Sequence, residues 1–218
     1  MRITALLKGL AGRLAPSLVL VRGSPASGAV ALTFDDGPHL TNTPLILDVL
    51  ARFGVPATFF VQGTSASRTP DLLRDIAARG HVVGNHGFQH LHWRRQPTAE
   101  LVRDVEATQA LIQASVGRPQ PRLYRPPYGE ITARAAFSLW RLGYRIVLWS
   151  VDSRDSFPGS PDGLLEALGA SAVRGGDIFL LHDDGEHTVA VLPALIEHIL
   201  RGRLRIRPLS ELSRRARG

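Results

Sequence analysis

Two aspartates stand side by side at Asp35-Asp36, and two histidines stand four apart at His86 and His90. Adjacent carboxylates repel each other unless a cation intervenes. Imidazoles at that spacing reach one side of a single helical turn, as in metal sites built on paired histidines. Two histidines and one carboxylate leave a position open on zinc or a similar ion, which is the arrangement of a hydrolytic rather than a structural site. His92 competes for the same role at a spacing less suited to a shared face. Taken alone, Asp35-Asp36-Gly37-Pro38 reads as a turn, and two histidines after Gly84 read as solvated. Three further titratable clusters weigh against those plain readings: Arg125-Pro126-Pro127-Tyr128, Asp152 to Asp155, and Leu180-Leu181-His182-Asp183.

Each cluster follows a short apolar run. Strands are expected over 29–34, 57–61, 81–84, 123–125, 145–151, 178–181 and 205–208. Helices are expected over 43–53, 69–79 with Thr69 as N-cap, 98–116, 132–142, 161–173 and 188–200, with a terminal helical turn over 209–217. Such alternation implies a parallel α/β sheet covered by helices. Periodicity does not separate an open doubly wound sheet from a closed barrel. In both, residues just past the strands gather at one rim. Gly37 and Pro38 break the first strand at once, so both Asp35 and Asp36 can turn toward that rim.

The 218 residues are 44% hydrophobic and 21% charged, which suits a core-forming domain and excludes a disordered chain, a collagen or a coiled coil. Without cysteine there is no disulfide framework, thiol chemistry or thiolate zinc site. The net charge of +7 is almost wholly arginine, Lys8 being the only lysine. A cationic surface favours anionic neighbours, but aromatics are 6% and do not interleave with the arginines, so nucleic acid is not expected. The arginine-rich stretch 201–217 reads as a solvated edge or a peripheral membrane contact. Residues 1–28 read as a segment separate from the domain over 29–218. Within it Leu6, Leu7, Leu10 and Leu14 line one face of an amphipathic helix, a reading preferred to a short secretion signal. No stretch there approaches the ~20 apolar residues of a membrane span. The compartment stays open, cytoplasmic or membrane-peripheral on the helix reading and periplasmic or secreted on the other.

Thr33-Phe34-Asp35-Asp36-Gly37-Pro38, His86 with His90, Arg125 to Tyr128, Asp152 to Asp155 and Leu180-Leu181-His182 occur in a telling order. Together they resemble the five motifs of the polysaccharide deacetylases, carbohydrate esterase family 4 or the NodB-homology domain. The resemblance implies a deformed (β/α) barrel, which with the strands read above would be a small one of about seven parallel strands. It also implies one divalent metal ion, zinc above all, and removal of N-acetyl groups from the amino sugars of a poly- or oligosaccharide, the glycan being the partner. Carried over position by position, Asp36, His86 and His90 would bind the metal and Asp35 would be the general base. His182 would protonate the departing amine, Arg125 would hold Asp35, and Asp155 would orient His182. Tyr128 would offer its backbone N–H to the oxyanion, and Leu180 would line the acetyl pocket.

Two positions depart from the family pattern. Gly87 stands where the family has Ser or Thr, which removes a hydroxyl that would brace the metal loop. Ser156 replaces a tryptophan after Asp155, with Phe157 beside it. Two rival readings remain. One is a deformylase or deacetylase of a lipid-linked amino sugar or other amide, suggested by the basic tail and apolar start. The other is a noncatalytic glycan-binding protein on the same scaffold, which would have no need of both Asp35 and His182.

Overall fold

A computed structural model describes residues 18–153, 155 and 173–212. The amphipathic helix expected before residue 18, most of the helix expected over 161–173, Ser156 and Phe157 lie outside them.

The described residues contain nine short strands in one wholly parallel sheet: β1 (Val19–Leu20), β2 (Ala29–Asp35), β3 (Thr58–Val61), β4 (Val82–Asn85), β5 (Leu123–Tyr124), β6 (Arg145–Val147), β7 (Val151–Asp152), β8 (Ile178–His182) and β9 (Arg205–Ile206). The helices are α1 (Asn42–Phe53), α2 (Gly63–Arg68), α3 (Pro70–Ala78), α4 (Thr98–Val116), α5 (Ala133–Arg141), α6 (Glu186–Arg201) and α7 (Leu209–Leu212). Pairing runs β1-β6-β5-β4-β3-β2-β8-β7, with β9 also on β2.

The single strand expected over 145–151 is in fact two. Its first part, β6, pairs with β1 and β5, and its second part, β7, pairs with β8. One short segment therefore serves both ends of the pairing order, and the sheet curls into a deformed (β/α) barrel. β1 is the other addition to the seven expected strands. Its two residues are too short to show a period, yet they pair as Val19↔Ile146 and Leu20↔Val147, so the stretch before Ala29 contributes to the sheet.

Alternation along β2 sorts its side chains between two cores. Val30, Leu32 and Phe34 pack outward against Ile46 and Leu50 of α1 and Leu192 and Ile196 of α6. Ala29 and Ala31 face the barrel interior with Phe60, Val147 and Ile178. A third cluster joins Leu101 and Val105 of α4 to Leu139 of α5, Tyr124 and Ile146. Thr69 does precede α3 as expected, but its hydroxyl donates to Ser65 O at 2.9 Å instead of capping. Ser65 belongs to α2, a helix whose run of small polar residues carries no apolar period. No helix among the described residues is long and apolar enough to cross a membrane.

Candidate active site

The parallel sheet brings the five polar clusters to one rim. β2 ends at Asp35, and Asp36 adopts φ 76°, a left-handed conformation unusual for any residue but glycine. That turn lets two consecutive carboxylates serve the same rim. Asp36 Oδ1 accepts from Gln62 Nε2 at 2.6 Å and lies 3.5 Å from His86 Nε2 and 3.3 Å from His90 Nε2. One ligand atom from each of Asp36, His86 and His90 lies within 4.8 Å of the others. The histidine segment is not the helical turn expected from its spacing. It is an irregular loop with Gly87 at φ 80° and His90 at φ 53°, and the two rings meet at 4.9 Å all the same.

The donor set suits a divalent cation. His86 Nδ1 is 2.7 Å from Arg125 O, and because a carbonyl only accepts, Nδ1 carries a proton and Nε2 is the nitrogen turned toward the cluster. Burial pulls His90 below its ordinary value and His86 beside it adds to the fall, so this ring is neutral as a ligand must be. Burial pushes Asp36 up, but the charge that the His86 and His90 rings carry when protonated, with the Gln62 amide bond, outweighs it and holds the carboxyl below the usual range. Ligands at zinc distances in tetrahedral array stand about 3.3–3.6 Å apart. The separations of Asp36 from the two rings, 3.5 and 3.3 Å, are of that size.

Beside this cluster Arg125 is wholly buried, an unusual place for an arginine. Its Nη1 donates to Asp35 Oδ1 and to Thr33 Oγ1, each at 2.7 Å, while Nε and Nη2 donate to Val147 O and Leu148 O at 3.3 and 3.2 Å. The guanidinium lies 4.2 Å over the Phe60 ring. A Cβ on Gly84 would stand 2.7 Å from that ring, so glycine there leaves the ring its place. Asp35 is thus fixed by a charge-assisted bond on one oxygen, and its other oxygen, Oδ2, lies 3.7 Å from His86 Nε2.

His182 is the register partner of Asp35 on the adjoining strand β8. Its Nδ1 meets Asp155 Oδ1 at 2.8 Å, and its backbone N–H donates to Asp155 Oδ2 at 2.8 Å. Ser153 Oγ donates to Asp155 at 2.6 Å, and Thr188 Oγ1 donates to it as well. Burial raises Asp155, and these bonds outweigh it to keep the carboxyl below its ordinary value. Burial likewise lowers His182, but the Asp155 bond and charge, with Asp35 and Asp36 beyond, push it up to about 9. The imidazole is therefore protonated at neutral pH and loses its proton as pH rises through about 9. A step that draws that proton should fail on the same alkaline limb. Asp155→Asn removes the raising charge, so the limb should move down by about one unit or more, read from kcat against pH. An unmoved limb would assign it to another group.

Tyr128 occupies φ 60° in the turn Pro127–Gly129, with its ring exposed and 4.9 Å from that of His90. Leu180 is buried on β8, paired with Thr33. His92 is drawn elsewhere: its Nε2 lies 3.1 Å from Glu130 and its Nδ1 accepts from Arg94 N. Gln62, Thr33, Thr188 and Ser153 hold the site although sequence reasoning assigned them nothing. Gln62 follows β3 directly, so the end-of-strand rule could have found it. Asp183, given no chemistry, is fully buried against Gly37, accepts from Thr43 Oγ1 at 2.6 Å and is pushed by burial to about 7. It braces the turn that carries Asp36.

A carboxylate held by a buried arginine, a protonated imidazole and three converging ligand atoms stand together on the rim of a parallel barrel, where α/β barrels carry their active sites. The chain belongs to the polysaccharide deacetylase family, whose model matches residues 22–147. It is 37% identical over 198 residues to a chitooligosaccharide deacetylase of Bradyrhizobium sp. (strain ANU 289), covering 84% of this chain and 90% of that protein. The crystal structure of the Bc1960 peptidoglycan N-acetylglucosamine deacetylase, solved with an N-hydroxybenzamide ligand, superposes with a TM-score of 0.86 at 29% identity, covering 94% and 98% of the two chains. A mutant of BA3943, described as a family 4 pseudoenzyme with restored enzymatic activity, gives a TM-score of 0.83 at 26% identity, covering 89% and 70%.

Proposed function

We propose that the protein is a metal-dependent deacetylase that removes N-acetyl groups from the amino sugars of a chitin- or peptidoglycan-like glycan. The observation that carries this reading is the convergence of Asp36, His86 and His90 within 4.8 Å, beside an arginine-held Asp35 and an aspartate-held His182. Asp36, His86 and His90 would hold one divalent ion, zinc above all. When bound, that ion supplies Lewis acidity toward water and the amide carbonyl.

The chain's own residues do the rest. Arg125 keeps Asp35 oriented, so Asp35 accepts the proton of the attacking water as a C–O bond forms. The Tyr128 backbone N–H faces the developing oxyanion. His182, charged through Asp155, gives its proton to the sugar nitrogen as the C–N bond breaks, releasing acetate and a free amine. Leu180 offers an apolar surface to the acetyl methyl. A protein that only bound glycan would need neither the acid nor the base.

The test is acetate release from N-acetylglucosamine oligomers by zinc-loaded protein, beside formylated and lipid-linked amino sugars. Turnover of the soluble oligomers is expected. Turnover confined to the other substrates would move the reading to them, and sugar binding without turnover of any would overturn it.

A further inference from the structure

We propose that Asp104 is a positioning residue for the metal loop, setting its cation affinity in place of the hydroxyl that Gly87 lacks. The inference rests on the metal reading above. The loop that carries His86 and His90 has no regular structure, so its peptide groups need outside partners. Gly87 N–H donates to Asn85 Oδ1 at 2.9 Å. Phe88 N–H donates to Asp104 Oδ2 at 2.6 Å, and the N–H of Gln89 bonds to the same carboxylate. On the other edge, Gly87 O and Phe88 O accept from Gly63 and Thr64 N–H, each at 2.9 Å. Burial raises the Asp104 carboxyl above its ordinary value, and the bonds from Phe88 and Gln89 offset part of that rise. One side chain from α4 thus holds the peptide groups midway between the two imidazoles.

Three features make Asp104 a fitted support. Charge-assisted bonds to backbone N–H are roughly twice as strong as neutral ones. The helix beneath is tied to the same loop by Asn85 Nδ2, which donates to Val105 O at 2.8 Å. Gly87 and Asp104 also match sterically. At φ 80° a side chain at 87 is strained, and its Cβ would come 3.0 Å from Asp104 Oδ2. A side chain at 87 would press on this carboxylate, which would have to give by a few tenths of an ångström to admit it. Without the carboxylate the loop samples other shapes and the rings are no longer presented together, a loss of preorganisation that outer partners of metal ligands typically convert to 10–100-fold in affinity.

The experiment measures zinc dissociation constants of the full chain by competition with a chromophoric chelator, with no glycan present. Asp104→Ala should weaken zinc binding about 10–100-fold. Asp104→Asn keeps the size and one acceptor and should fall between, which preserves the test if the alanine variant folds poorly. Arg103→Ala, its exposed neighbour on α4, should bind as wild type. The unfolding midpoint of metal-free protein is read in parallel. A lower midpoint with unchanged zinc affinity in both Asp104 variants would make the residue merely structural and overturn the proposal. Zinc binding that responds to Asp104 without any deacetylation would leave this inference standing and sink only the substrate reading. A wild type that binds no zinc would sink both.

Discussion

Asp36→Ala is expected to weaken zinc binding by more than about 100-fold, since loss of even an outer partner costs 10–100-fold, and acetate release at limiting zinc should fall in step. Asp36 supplies the only carboxylate oxygen of the cluster and stands within 3.5 Å of both imidazole nitrogens. Its replacement leaves two neutral rings with no anion to offset the charge of the ion. The fold should survive, because Asp36 lies beyond the end of β2 and none of the apolar clusters includes it. Metal analysis after equilibrium dialysis, with circular dichroism as the control for folding, reads the effect. Full zinc retention by the variant would move the site elsewhere.

Asp35→Asn should separate chemistry from metal binding. The amide matches the carboxylate in size and can still accept from Arg125, but it cannot take up a proton at neutral pH. Positioned general bases contribute about 10²–10⁴ to rate, so kcat at saturating zinc should fall by that factor while zinc stays bound. The variant should also be less stable, because Arg125 is fully buried and loses its counter-charge. Turnover is therefore read well below the unfolding midpoint. Wild-type kcat would remove Asp35 from the proton path, and loss of zinc would make it a ligand.

Much of the architecture is legible in the sequence because it rests on local signals. Apolar runs closed by polar clusters give the alternation of strands and helices, and a parallel sheet then carries Asp35, His86, Arg125, Asp155 and His182 to one rim. What escapes is set by contacts without a period. β1 is two residues long, and the break between β6 and β7 serves barrel closure, which no local pattern encodes. The spacing of His86 and His90 suggests a helical turn, whereas their meeting depends on Gly87, His90 and the peptide partners supplied by Asp104, Gly63 and Thr64. Gly87 reads from sequence as a missing brace. At its positive φ a larger residue would be strained and would press on the nearby Asp104 carboxylate.

The most direct measurement is a zinc titration of chelator-stripped protein, following acetate released from an N-acetylglucosamine oligomer. Release should start near zero, rise with added zinc and level off at one equivalent per chain. Release that persists after stripping and ignores added zinc would contradict the account.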